Sequence, residues 1–149
     1  MRLWHKDLID VLPRQQLLAQ WRECCAIASN IATKGTPNHI LVNKITDYSQ
    51  IHFICYVSIV MDEMRKRGFK INEKSYLILS KNIAKGKVYF PVLHNDLSFL
   101  ICDISDIYSD WMNERYLKQS FYNLQEKYDC GGITEEEWLL LKTKYSKLI

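Results

Sequence analysis

The chain has 149 residues, 48% of them hydrophobic and 25% charged, with a net charge of +3, which suits one globular domain with a sizeable core. Its longest apolar stretch, residues 51–61, is interrupted by His52 and Ser58 and falls short of the roughly eighteen apolar residues that a membrane span needs. His5, Lys6, Asp7 and Asp10 stand where a secretory signal would carry its apolar segment, so the expectation is a cytoplasmic protein with no membrane partner.

Residues 1–12 read as an extended or loosely turned lead-in that packs Leu3, Trp4, Leu8 and Leu12 against the body, holding in place a terminus that would otherwise fray. Residues 13–34 follow as a long helix, with Leu17, Leu18, Trp21, Cys25, Ala28 and Ile31 at the spacing of one buried face. Pro13 suits its first turn and Gly35 its end. Periodicity alone assigns Arg22 and Glu23 to a solvated pair at the edge of that face. After Gly35-Thr36-Pro37-Asn38, residues 37–46 read as a short helix in which Thr36 caps, Pro37 leads, and His39, Asn43 and Lys44 share a polar side.

Residues 50–67 form the second long helix. Its early turns are apolar almost all round, as in a central helix, and it closes on Arg65-Lys66-Arg67 and Gly68. A third helix starts at Asn72 or Ser75 and runs to Lys85, closed by Gly86. The apolar run of residues 88–93, broken by Pro91, reads as a buried connector without a strand partner. Residues 103–128 are helical in pattern, starting a few residues late and ending at Asp129-Cys130-Gly131-Gly132. Thr134 and Glu137 make a capping box for a last helix over 135–148. The expectation is a mainly α fold: one compact domain of five or six helices with a C-terminal αα-hairpin whose tyrosines and Trp138 are core residues.

Five cysteines without C-x-x-C spacing read as reduced, mostly buried thiols, and the scattered His5, His39, His52 and His94 offer no clustered metal ligands. Neither metal nor cofactor is expected. Charge is unevenly spread: residues 1–75 hold eleven Lys/Arg against seven Asp/Glu, residues 76–149 nine against ten. The basic excess of the first half fits a phosphate-facing surface.

Three motifs occur in order in that half: Met1-Arg2-Leu3-Trp4, Gln20-Trp21-Arg22-Glu23, and Glu63-Met64-Arg65-Lys66-Arg67-Gly68-Phe69-Lys70-Ile71. Their order and spacing resemble the pyrimidine-dimer DNA glycosylase family of the phage endonuclease V type, over residues 1–75, leaving 76–149 as a helical extension. The resemblance implies a DNA-repair enzyme, acting as a monomer on damaged double-stranded DNA, whose nucleophile is the chain's own α-amine. That amine attacks the anomeric sugar carbon, a Schiff base forms as the base leaves, and β-elimination breaks the strand, with a glutamate on the first long helix stabilising the cationic sugar. An α-amine suits the task because its ordinary pKa, about 7.7–8.0 against about 10.4 for lysine, leaves a neutral fraction at physiological pH.

Carried onto this chain, the resemblance makes the Met1 α-amine and Glu23 the catalytic groups, and Arg2, Arg22, His39, Asn43 and Lys44 the DNA contacts. Phage-type members begin, after methionine removal, with a small residue followed by arginine; here Arg2 directly follows Met1 and its bulk prevents removal, so Met1 takes the small residue's place. Ala26 stands where the family has a basic residue, and the family's aromatic, basic C-terminal segment is not recognisable in residues 116–149. Those departures bear on which lesion is read. Two other readings stay open: a glycosylase/lyase for another lesion or for plain abasic sites, and a non-catalytic helical module that binds nucleic acid or another partner.

Overall fold

The computed structural model describes residues 1–85 and 104–149. Every regular element among them is helical: α1 (Arg14–Lys34), α2 (Gln50–Lys66), α3 (Glu73–Lys85), α4 (Glu114–Asp129) and α5 (Glu135–Leu148), with 3-10 helices at Lys6–Val11, Asn43–Asp47 and Ile104–Asp106. The mainly α expectation holds. Gly86 and the apolar run of 88–93 lie outside the described residues.

Helix α1 starts directly after Pro13 and stops at Gly35, whose φ of 75° lets its N–H turn back to the Ile31 carbonyl at 2.9 Å. Its buried face is Leu17, Gln20, Trp21, Cys24, Ile27 and Ala28. Leu17, Trp21 and Ala28 lie on it as expected, Cys24 and Ile27 complete the inward steps of three and four, and Leu18, Cys25 and Ile31, also expected inside, flank it half-buried. Helix α2 buries five consecutive residues, Phe53 to Val57, and is central as its composition implies. It lies against α1 and the first 3-10 helix, while α3 packs on the other flank of α1.

The C-terminal hairpin forms as expected. Asn113 caps α4 by accepting from the Tyr116 N–H at 3.0 Å, and Thr134 and Glu137 complete the capping box of α5. Between the helices, Phe121 stacks on Tyr145 at 3.9 Å and Tyr128 on Trp138 at 4.9 Å, whereas Tyr122, expected in the core with the other tyrosines, faces outward and is exposed. The first 3-10 helix docks on α2 and α5, so one apolar core runs from Leu3 to Leu148.

Other expectations change as well. Residues 6–11 are a 3-10 helix, not an extended lead-in, although Leu3, Trp4, Leu8 and Leu12 are buried as anticipated. Residues 37–42 are not helical: Thr36 Oγ accepts from the Asn38 N–H at 2.7 Å, Asn38 takes a φ of 59°, and the helix that follows is the 3-10 segment from Asn43. Residues 107–113 form a buried turn, because Tyr108 at φ 49° cannot continue a right-handed helix; Ile107, Tyr108, Trp111 and Met112 nevertheless reach the core. Cys55 is disulfide-bonded, whereas Cys24, Cys25 and Cys130 are free thiols, of which Cys24 is buried, Cys25 half-buried and Cys130 exposed, so neither reduction nor burial is uniform.

Arg67 explains part of the third motif. Its guanidinium donates to the carbonyls of Leu12 at 2.6 Å, Asp10 at 3.1 Å and Ile9 at 3.4 Å, and pairs with Glu63 at 2.8 Å. The carbonyls at the end of the first 3-10 helix are thereby satisfied from α2. No helix among the described residues is long and apolar enough to cross a membrane.

Candidate active site

Residues 1–5 run without regular structure alongside α1 and are fixed by side chains from three helices. Gln20 is the centre of that arrangement. Fully buried on the inward stripe of α1, its Oε1 accepts from the Trp4 N–H at 2.8 Å, while its Nε2 donates to the Arg2 carbonyl at 2.9 Å and to Glu23 Oε2 at 3.2 Å. One amide therefore ties the backbone next to Met1 to the Glu23 carboxylate.

Tyr56 of α2 directs its hydroxyl between the Trp4 carbonyl at 2.6 Å and Gln20 Oε1 at 3.0 Å, and Tyr116 of α4 donates to the Leu3 carbonyl. Burial pushes the Tyr116 phenol up to about 12, against the opposing pull of Arg2, and pushes Tyr56 well above its ordinary value. Both stay protonated and serve as donors. The His5 N–H reaches Ser120 Oγ at 3.3 Å; the ring takes the Asp7 N–H on Nδ1 at 3.2 Å, leaving the Nε2 proton for the Met112 carbonyl at 2.8 Å. Burial lowers the His5 pKa and favours that neutral form. Lys6 donates to the carbonyls of Ser105 at 3.2 Å and Ile107 at 3.0 Å, which occupies its amine structurally.

Beside this network lies a cleft of about 510 Å³. It is lined by Met1, Arg2 and Trp4, by Gln16, Ala19 and Glu23 of α1, and on the other side by Asn123, Glu126 and Lys127 of α4 with Cys130 just past its end. Positions 16, 19 and 23 fall on one helical face, just beside the buried stripe. The Arg2 guanidinium sits 5.1 Å from the centre of the Trp4 ring, a cation–π contact that keeps the side chain at the rim. Gln16 Oε1 has no hydrogen-bond partner among the described residues. The charged groups available in this open cleft are two carboxylates, Glu23 and Glu126, and two cations, Arg2 and Lys127, with Met1 beside them. Among the described residues no three His, Cys, Asp or Glu side chains gather as a metal site.

The structure thus brings Met1, Arg2 and Glu23 together. Arg22 lies exposed on α1, next to the cleft but not lining it. His39, Asn43 and Lys44 sit beyond the far end of α1, where Asn43 Oδ1 accepts from the His39 N–H at 2.9 Å and the His39 ring from the Leu41 N–H at 3.3 Å; Lys44 is exposed. Sequence reasoning gave no role to Gln20, Tyr56, Tyr116 or Lys127. A glutamine at the third step from Leu17 and the fourth before Cys24 is a polar intruder on an apolar stripe, which is the signal that marks Gln20. Nothing local marks the α4 residues, whose place in the cleft is purely tertiary.

Fold and cleft together define a helical protein in which Met1, Arg2 and Trp4 share a cleft with a carboxylate carried on its first long helix. Residues 1–77 match the family model described as pyrimidine dimer DNA glycosylase, and the chain belongs to that family. The match takes in the amino-terminal segment, α1 and α2, and stops inside α3, so the α4 wall of the cleft lies beyond it. No curated protein and no solved structure matches the chain.

Proposed function

We propose that this protein is a DNA glycosylase with abasic-site lyase activity, acting on pyrimidine dimers in double-stranded DNA through the α-amine of Met1. The observation that carries the reading is the shared cleft: Met1 and Glu23 line it together, and the Gln20 amide joins the backbone beside the first to the carboxylate of the second.

In this reading the neutral α-amine of Met1 adds to C1′ of the damaged nucleotide. The C1′–N bond breaks, the base takes up a proton as it parts from its sugar and stays joined to its neighbour in the dimer, and opening of the sugar ring gives an imine between Met1 and C1′. A proton is then lost from C2′, the C3′–O bond to the phosphate breaks, and water hydrolyses the imine to free the amine. Glu23 stabilises the positive charge that develops on the sugar and carries protons between these steps. Arg2 and Lys127 face the phosphates that flank the target, and Arg22 adds a contact beside the cleft. Reaching C1′ requires the nucleotide to leave the stack at a cost of a few kcal/mol, least at an abasic site, so abasic duplex should be cut even where dimers are cut slowly.

Borohydride trapping tests the assignment. Reduction of the imine during incubation with abasic duplex is expected to give a covalent protein–DNA species whose adduct maps by mass spectrometry to the Met1 α-amine. An adduct on Lys127, the other amine of the cleft, would keep the lyase and remove Met1 from its role. Absence of both nicking and trapping on abasic duplex at low salt would dismiss the enzymatic reading in favour of a binding module.

A further inference from the structure

Among the described residues several large apolar side chains are exposed, Leu139 and Leu140 on α5 among them; Ile40, at 86%, is the most exposed, and the adjacent Leu41 is 51% exposed. Ile40 and Leu41 form the tip of the turn that follows α1, and that turn is built to hold them out. Asn30 Nδ2 donates to the Pro37 carbonyl at 2.9 Å, Thr36 and Asn43 accept from the N–H groups of Asn38 and His39, and the His39 ring from that of Leu41. Val42 and Ile45 anchor the far side in the core. Asn38, at φ 59°, sets the backbone reversal. A side chain presented on such a rigid support is preorganised for contact.

Charge indicates what the tip meets. From Cys24 to Thr46 there is no carboxylate, while Lys34, His39 and Lys44 surround the tip and Arg22 lies up the helix. Along α1 the exposed positions Arg22, Ser29 and Thr33 share one face, and past Arg22 their side chains are small enough for a backbone to approach closely. This uncharged-to-basic edge joins the cleft to the tip. From Glu23 to Lys34 the helix rises roughly 16 Å, at about 1.5 Å per residue, and a DNA strand advances about 3.4 Å per nucleotide. For a strand running along α1, the end of the helix from which the turn projects therefore lies roughly five base-pair steps from Glu23.

We infer that Ile40 and Leu41 form a second DNA contact of this protein, an apolar wedge that enters the groove roughly five base pairs from the target nucleotide while Lys34 and Lys44 hold the neighbouring phosphates. Isoleucine and leucine are among the side chains that other proteins insert between base steps to bend a duplex. A bend fixed on one flank would lower the cost of extruding the nucleotide in the cleft. The inference rests on the glycosylase reading of that cleft.

The test measures binding and bending without catalysis. A duplex carrying a tetrahydrofuran abasic analogue, which has no C1′ hydroxyl and forms no imine, is prepared with about twelve base pairs on each side, and again with either flank cut to three. The double variant Ile40→Ser/Leu41→Ser is expected to bind the long duplex about tenfold more weakly than the unaltered protein, from loss of buried apolar surface. It is also expected to bend the duplex less, as read by energy transfer between end labels. On the duplex shortened on the contacted side the two proteins should bind equally. An unchanged melting temperature verifies that the exposed substitutions leave the fold intact. Equal binding of both proteins to the long duplex would overturn the wedge and leave the tip to a protein partner; a penalty that persists with either flank removed would overturn its position. If the unaltered protein binds no abasic duplex, the cleft reading itself fails. If it cuts abasic DNA and the double variant binds and bends DNA identically, the wedge alone fails.

Discussion

Replacing Gln20 by leucine keeps the volume of the side chain and removes all of its hydrogen bonds. The Trp4 N–H, buried against Gln20 Oε1, loses its partner and costs about 1–3 kcal/mol. Tyr56 retains the Trp4 carbonyl, and the part-buried Arg2 carbonyl is within reach of water, so those losses are smaller. The sum is about 2–4 kcal/mol of stability, which for a chain of this size lowers the melting temperature by roughly 4–16 °C. Activity should fall further than stability, because the segment carrying Met1 is no longer tied to Glu23 and a displacement on the scale of 1 Å can cost about a hundredfold in rate. Thermal melting, followed by borohydride trapping well below the melting point, measures the two effects separately. A Gln20→Leu protein that melts within about 2 °C of the unaltered one and traps abasic DNA as fast would refute the role given to this amide.

Glu23→Gln should slow turnover by orders of magnitude while leaving the affinity for abasic-analogue duplex nearly unchanged, since shape is kept and charge lost; kcat and equilibrium binding check this. Arg67→Ala should destabilise the fold by about 2–3 kcal/mol and expose residues 1–12 to trypsin, with Arg67→Lys rescuing poorly because an ammonium cannot reach three carbonyls and Glu63 together. Stability should fall as pH drops below about 6.5: burial lowers the His5 pKa in the folded chain, so the unfolded chain takes up the proton first, and the contribution present above that pH is lost on acidification. Melting temperatures between pH 7.5 and 5 read this out, and the slope should flatten in His5→Gln. Arg22→Ala should weaken duplex binding and lower the salt slope by about one unit, which a titration against salt concentration measures.

Much of the scaffold was legible because local signals and tertiary demands agree. Pro13 and Gly35 bound α1, and the Thr134–Glu137 box opens α5 where the capping pattern puts it. The disagreements arise where the core overrides local pattern. The apolar residues at 107, 108, 111 and 112 mimic a helical stripe but serve a turn whose direction is set by Tyr108. Residues 37–42 carry a capping motif but spend it on a loop that holds two apolar side chains in solvent. In the candidate site, Met1, Arg2 and Glu23 were reached through family motifs, and the cleft unites them. Its facing wall was invisible: Asn123 and Lys127 lie about a hundred residues further along the chain, and no local pattern shows that α4 closes over residues 1–5.

That closure also orders events during synthesis. The amino-terminal segment emerges first, yet its partners His5–Met112, His5–Ser120 and Leu3–Tyr116 are separated by 107, 115 and 113 residues. At about 5–20 residues per second the ribosome needs roughly 6–22 s to deliver them. Until then the first residues have no wall to rest against, and the cleft does not exist. Gln20 and Tyr56 arrive earlier and can hold the segment in part, but the facing side waits for the hairpin. A nascent or prematurely terminated chain would therefore carry Met1 and Glu23 without the enclosure that brings them into one cleft.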